Sequence, residues 1–187
     1  IAQLFHERTS LHVAGEQTWC TAKAHPWARA TVDGFVIESQ ELNHVDDALG
    51  VLEIKTDGSF GWPDGPPPRI EAQVRWQMLV TDLPRAWVAV LHAGWRFDIH
   101  EIERDAHEEA FILERDARFW HDHVLTGQPP PVDGSTATSE AIGAVWPQHH
   151  EGQAVELPGE IASLLLERVE LKAAAKRAKT AIDEIEN

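Results

Sequence analysis

An α/β fold, a small mixed sheet flanked by helices with a C-terminal helical appendage, is predicted by three features of this 187-residue sequence. Short runs such as Trp95 to Glu103 alternate apolar and polar residues with the two-residue period of half-exposed strands. Stretches of helical period, Arg69 to Thr81 and Asp105 to about Val124, are interleaved with them. From Leu157 onward apolar residues recur at alternating spacings of 4 and 3, a heptad pattern. With 43% hydrophobic and 25% charged residues the composition is that of an ordinary globular chain able to bury a sizeable core. Three parts are expected: a core over 1–125, a Pro/Gly-rich linker with a short helix over 126–156, and a coiled-coil-like helix over 157–187.

Taken in order, Ile1 to Thr9 has apolar residues at 1, 4 and 5, which suits the end of an amphipathic helix. It begins without a cap, as a chain cut from something longer would. Leu11 to Val13 and Thr18 to Ala22 read as short strands, His25-Pro26-Trp27 as a bend, and Arg29 to Ser39 as a hairpin with Asp33 before Gly34. Gln40 to Gly50 is acidic and uneven, hence a loop. Val51 to Thr56 is a strand, and Gly58 to Pro68, with three glycines and four prolines around Trp62, is irregular. After the helix Arg69 to Thr81 come a core strand Arg85 to His92, a turn at Ala93-Gly94, and the strand Trp95 to Glu103. Asp105 caps the next helix, whose inner face is expected to be Phe111, Ile112, Phe119 and Trp120. Thr126 to Ser139 is linker by composition, followed by a short helix from Ser139 to Trp146. The heptad seam then runs through Leu157, Ile161, Leu164, Arg168, Leu171, Ala175, Ala178, Ile182 and Ile185, and only Arg168 is out of character.

The chemistry gathers on Val51-Leu52-Glu53-Ile54-Lys55-Thr56. Side chains at i and i+2 share one face of a strand, so Glu53 and Lys55 point the same way. Alternating charge on a solvated strand would look similar, but the apolar run Val51-Leu52 and Ile54 sets Glu53 in buried surroundings. If Asp33 arrives beside it from a neighbouring strand, expected at one edge of the sheet, two hard oxygen ligands can hold Mg²⁺. The carbonyl of Ile54 lies between them as a third. Lys55 can then orient a water and stabilise charge as a phosphodiester is attacked. On the following helix Gln73 and Gln77 lie four apart on one face, where buried amides need partners that DNA or a metal-bound water would supply, ordinary intraprotein bonds being the alternative for Gln77, and Arg69 and Arg75 are candidates to face phosphates. Trp62 could stack on DNA bases or pin its own loop to the body. The pairs in His121-Asp122-His123 and His149-His150 read as solvated, since adjacent residues on a helix diverge and a single Cys20 offers no cluster.

The segments Ala30 to Val36 (A-T-V-D-G-F-V), Gly50 to Thr56 (G-V-L-E-I-K-T), Pro66 to Met78 (P-P-P-R-I-E-A-Q-V-R-W-Q-M) and Arg104 to Trp120 resemble the YqaJ-type viral recombinase family. That family comprises lambda-exonuclease-like alkaline nucleases of the PD-(D/E)xK superfamily, and the resemblance covers Ile1 to about Pro131. It implies a restriction-endonuclease-like fold with a nuclease core over 1–125, and an enzyme using one or two Mg²⁺ or Mn²⁺ ions. It further implies digestion of double-stranded DNA from 5′ to 3′, delivery of the single strand to an annealing protein, and a homo-oligomer, a ring of three. By position, Asp33 and Glu53 match the metal-binding carboxylates, Lys55 the catalytic lysine and Gln73 the glutamine on the next helix. Ile54 would contribute its backbone carbonyl. Three departures stand out. The family's arginine and serine that grip a 5′ phosphate have no counterpart ahead of Ile1, Ile70 replaces a tyrosine, and Arg75 replaces the second glutamine of Q-x-Q. An endonuclease on the same core, or a nuclease remnant acting as an interaction module, therefore also fits the sequence.

Net charge of −15 runs against a nonspecific DNA binder, for which a basic stripe is expected. Six acids against five bases from Glu160 onward leave −14 for residues 1–159. A nuclease that encloses DNA needs a basic channel rather than a basic exterior, and bound metal offsets charge locally. The single cysteine fits a reducing compartment, and no window approaches the ~18 apolar residues of a membrane span. A cytoplasmic protein of a bacterial or phage-infected cell, without membrane contact, is the expectation.

Overall fold

The computed structural model of the chain describes residues 1–39, 47–147, 152, 154, 156 and 158–186. Residues 40–46 of the expected acidic loop, the His149-His150 pair and the first heptad position Leu157 lie outside the described residues. The chain divides into two compact units, Ile1–Pro130 and Pro131–Asn187.

The first unit is organised on β5 (Gly50–Asp57), whose Val51 and Leu52 are fully buried. A strand apolar on both faces needs cover on both. On one face lies α2 (Pro68–Thr81), whose Ile70, Val74 and Met78 pack with Val32, Phe35, Val51 and Val88. On the other lies α1 (Ala2–Thr9), whose Phe5 packs with Val36, Leu52, Trp87 and Phe97. The sheet also contains β1 (His12–Ala14), β4 (Gly34–Ile37), β6 (Arg85–His92) and β7 (Arg96–Glu103), in the order β1-β4-β5-β6-β7. β5 and β6 are parallel and the other neighbours antiparallel, so the sheet is mixed as expected, with α2 as the crossover that parallel pairing requires. A Cβ at Gly50 would lie 2.3 Å from the Arg85 carbonyl oxygen, so β5 must enter the sheet through glycine.

Three expectations are corrected. Arg29 to Ser39 is not a hairpin. β3 (Arg29–Val32) pairs with β2 (Thr18–Thr21) in a separate two-stranded sheet, whereas β4 pairs with β1 and β5. Val32 and Phe35, on either side of Asp33, both enter the core beneath α2, so the chain runs on instead of folding back. Asp33 is the joint between two sheets, and Gly34 follows it because a Cβ there would lie 2.5 Å from Val13 Cγ1. Second, β5 is the middle strand, so the Glu53 site is central and not at a sheet edge. Third, α3 (Ala106–Phe119) leaves Phe111 and Phe119 exposed and only half-buries Ile112. Its buried residue is Glu109, drawn in by two 2.8 Å bonds from Arg104 Nε. Asp105 caps α3 as predicted, accepting from the His107 and Glu108 amides. A π-helical turn, Trp120–Val124, continues α3 and carries His121 and Asp122 exposed.

The second unit holds α4 (Thr136–Val145), capped by Ser135, and α5 (Gly159–Glu186). No helix among the described residues is long and apolar enough to cross a membrane.

Candidate active site

The two-residue period of β5 puts Glu53 and Lys55 on the face covered by α2, and Lys55 Nζ donates to Glu53 Oε1. Gln73 and Gln77, one helical turn apart on α2, both reach down to the same carboxylate. Gln73 Nε2 donates to Glu53 Oε1 at 2.7 Å, and Gln77 Nε2 to Oε2 at 2.7 Å. Glu53 is 3% exposed, and these donors satisfy both of its oxygens. The β4–β5 register, with Gly34 opposite Leu52, carries Asp33 alongside. Asp33 Oδ2 accepts the Ile54 amide at 2.7 Å and Oδ1 accepts Gln17 Nε2 at 2.7 Å. Asp33, Glu53, Ile54, Lys55 and Gln73 are thus brought together, with Gln73 at the solvent rim and Lys55 half-buried.

The residues singled out for DNA contact fare differently. Gln77 is 2% exposed, and its amide is shared between Glu53 and the Thr31 carbonyl oxygen at 3.1 Å, so it supports Glu53 from beneath instead of meeting DNA. Trp62 pins its loop: its Nε1 donates to Asp57 Oδ2 at 2.9 Å, its ring stacks on His100 and it meets His92 edge-on. Those contacts are the ones an anchoring tryptophan would make. Arg75 donates to Glu71 Oε1 at 2.6 Å and lies within electrostatic reach of Asp105 at the start of α3. Arg69, in the first turn of α2, is exposed.

A second polar cluster on the same sheet face escaped the sequence reading. One step beyond Lys55 on that face is Asp57; the strand registers place His92 beside it on β6 and bring Asp98 and His100 onto the same face of β7. His92 is fully buried between Asp57 Oδ2 at 3.3 Å and Asp98 Oδ2 at 3.6 Å. Bonds from Ser59, Trp62 and His92 hold the Asp57 carboxyl below the usual carboxylate range. Burial pushes His100 below the ordinary histidine value, assisted by His92 and Arg96 and opposed by Asp98. The signal was present: the period that pairs Glu53 with Lys55 reaches Asp57, and R-F-D-I-H places Asp98 and His100 on one face of β7. Among the described residues no three His, Cys, Asp or Glu side chains converge on a metal position. The Asp33–Glu53 pair offers two carboxylates, to which the backbone oxygen of Ile54 would add a third donor.

No family model matches the chain. Uncharacterized protein YqaJ of Bacillus subtilis (strain 168) is 28% identical over 193 residues, taking in 100% of this chain and 58% of YqaJ. The chain therefore spans less than two thirds of that relative's length. Similar solved structures include LHK-Exo in complex with dAMP, with a TM-score of 0.49 and 19% identity over 65% of this chain and 62% of that one. A second is the alkaline exonuclease LHK-Exo from Laribacter hongkongensis, with a TM-score of 0.43 and 18% identity over 68% and 69% of the two chains. The match to YqaJ, over the whole of this chain and 58% of that relative, bears out the resemblance that the four motifs carry.

Proposed function

We propose that this chain is a metal-dependent deoxyribonuclease that hydrolyses phosphodiester bonds of double-stranded DNA, a phage-type 5′-to-3′ exonuclease serving recombination by single-strand annealing. The observation that carries the reading is the gathering of a lysine and a glutamine on one carboxylate, Glu53, with a second carboxylate, Asp33, bonded to the next residue of the same strand. A merely structural ion pair would not need that second carboxylate.

Asp33, Glu53 and the Ile54 carbonyl are hard oxygen donors free of sulfur and imidazole, a set suited to Mg²⁺ or Mn²⁺. One or two such ions would supply Lewis acidity, making water a better nucleophile at neutral pH and neutralising the departing 3′ oxygen. With such an ion held by Asp33 and Glu53, the Lys55 ammonium and the Gln73 amide, which here donate to Glu53 Oε1, would lie beside the reacting groups. Lys55 orients the attacking water and stabilises the negative charge that builds on the phosphoryl oxygens, and Gln73 positions the scissile strand. The phosphorus–O3′ bond breaks as the phosphorus–water oxygen bond forms in line. Gln77 keeps the Glu53 side chain from rotating away. Arg69 is left as the cation best placed to meet the DNA backbone. An annealing protein as partner and a ring-shaped homo-oligomer belong to the same reading.

The test is incubation of linear, nicked and covalently closed duplex DNA with the protein in Mg²⁺, beside Lys55→Ala and a chelator control. Loss of the linear form alone, abolished by Lys55→Ala and by chelator, is expected. Cleavage of closed circles would make it an endonuclease, and Mg²⁺-dependent activity surviving in Lys55→Ala would remove the assignment.

A further inference from the structure

β2 pairs with one side of β3, and among the described residues no strand pairs with the other. Carbonyl oxygens on that open side are taken up by α2: Trp76 Nε1 donates to the Arg29 carbonyl oxygen at 2.9 Å, and Gln77 Nε2 to that of Thr31 at 3.1 Å. Where β3 ends, the Gln17 backbone amide and side chain bind Asp33 from the β2 side. The β2–β3 ribbon is therefore fastened both to the helix that carries Gln73 and to a carboxylate of the candidate site. Every one of these contacts lies within the first unit.

Val32 is buried and Ala30 half-buried, so Arg29 and Thr31 turn outward, in step with Asp33 two residues on. The register sets Trp19 opposite Thr31 and Thr21 opposite Arg29 on the same outer face. Arg29 Cζ lies 6.0 Å from the centroid of the Trp19 ring, a cation–π contact that gives the charge a fixed place. Arg75, Arg85, Arg96, Arg104 and Arg118 each hold a carboxylate. Arg29 pairs with none among the described residues, in a chain of 31 acids and 16 bases. A guanidinium kept apart from so large an excess of acid, and seated on a fastened ribbon, is ready for an anion from outside. Arg69 lies one turn of α2 before Gln73, and Trp76, which grips the Arg29 carbonyl, lies about one turn after it. Two cations thus bracket the candidate site along one line.

We infer that the outer face of the β2–β3 ribbon carries the DNA strand away from the site, with Arg29 binding a backbone phosphate and Trp19 as the positioning residue that holds its guanidinium. The inference rests on the nuclease reading and extends it, giving the substrate strand a path from Arg69 past Asp33 and Glu53 to Arg29. A cation flanked by the Thr21 and Thr31 hydroxyls suits phosphate and sugar and reads no base. Four residues of strand separate Arg29 from Asp33, about 13 Å, so at about 3.4 Å of DNA axis per phosphate the one it holds lies within about four linkages of the bond that is cut.

The test is fluorescence anisotropy of a short labelled duplex with the whole chain in chelator, so that nothing is cut, over a range of salt. Arg29→Ala should bind about tenfold more weakly at low salt, and its plot of log Kd against log salt should be shallower by about 0.9, the share of one phosphate. Arg29→Lys should keep the wild-type slope, and Trp19→Ala should keep it while losing affinity, because the charge remains but is no longer held. Arg29 is exposed, so an unchanged urea unfolding curve is expected for its variants. On the wild type, a duplex with one neutral methylphosphonate linkage within about four of the cut bond should reproduce the loss, and Arg29→Ala should bind that duplex no more weakly. In Mg²⁺, Arg29→Ala should raise KM with kcat little changed. An unchanged salt slope in Arg29→Ala, an equal loss in Arg29→Lys, or a further loss in Arg29→Ala at every neutral linkage would each overturn the path. Cleavage by the wild type with no change of slope in Arg29→Ala would defeat the path alone. A wild type that binds duplex and never cuts it would defeat the nuclease reading, and the slopes would still decide the path; one that binds no duplex would end both.

Discussion

Gln77 Nε2 meets Glu53 Oε2 at 2.7 Å from a position only 2% exposed, while Gln73, one turn earlier on the same helix, meets Oε1 from the solvent rim. Two chemically identical contacts to one carboxylate therefore have different physical weight. Losing the first strands part of a buried charge; losing the second lets water take the vacated place.

Gln77→Ala is accordingly expected to cost about 2–4 kcal/mol, because it leaves a buried carboxylate oxygen unpaired and opens a void. Gln73→Ala should stay within about 1 kcal/mol of wild type while lowering DNA cleavage. Urea unfolding followed by tryptophan fluorescence separates them. Equal costs would mean the two amides are interchangeable supports and that Gln73 has no special place at the rim.

Asp33 accepts the Ile54 amide with one oxygen and Gln17 with the other. Asp33→Asn keeps an acceptor for Ile54 and should unfold within about 1 kcal/mol of wild type, since a neutral acceptor replaces a charged one at a partly solvated site. Titration calorimetry with Mn²⁺ should nevertheless lose its binding isotherm, because a hard cation gains little from an amide oxygen in place of a carboxylate. Undiminished Mn²⁺ binding in this variant would place any metal elsewhere.

Much of this arrangement is legible in the sequence. The period of β5 put Glu53 and Lys55 on one side, and the helical period put Gln73 one turn from Gln77. What could not be read was pairing at long range. That β3 leaves the main sheet at Asp33 depends on Val32 and Phe35 both finding the same core, which local turn propensity does not encode. Of the inner face expected for this helix, α3 with the turn that continues it, Ile112 is half-buried and Trp120 stacks on Trp27, but Phe111 and Phe119 face outward and the Arg104–Glu109 bond turns a charged residue inward, which a periodicity that counts apolar residues only does not register. The cluster of Asp57, His92, Asp98 and His100 needed the registers of three strands to be known together.

His100 gives that cluster a pH signature. Its folded-state value is lowered by burial, so the unfolded chain binds the proton more readily. Stability from this group is fully present above the unfolded value near 6.5 and is lost as pH falls from there toward the lower folded value. Thermal melts from pH 7.5 to 5.5 should therefore show a declining midpoint, and His100→Gln should flatten that part of the curve. An identical slope in the variant would assign the decline to other groups.

Trp62 supplies the last prediction, because its two possible roles part company under one substitution. As an anchor it contributes the Asp57 bond and ring contacts to His92 and His100; as a stacking platform it would contribute affinity for bases. Trp62→Phe retains most of the ring and loses the bond, and should cost about 1 kcal/mol. Trp62→Ala should cost about 3 kcal/mol and expose the 58–67 loop to limited proteolysis, as large-to-small changes at packed aromatics do. Fluorescence anisotropy with a labelled duplex should give the same dissociation constant for wild type and Trp62→Phe. A clear loss of affinity in a variant whose loop still resists protease would return the ring to the DNA and undo its assignment as an anchor.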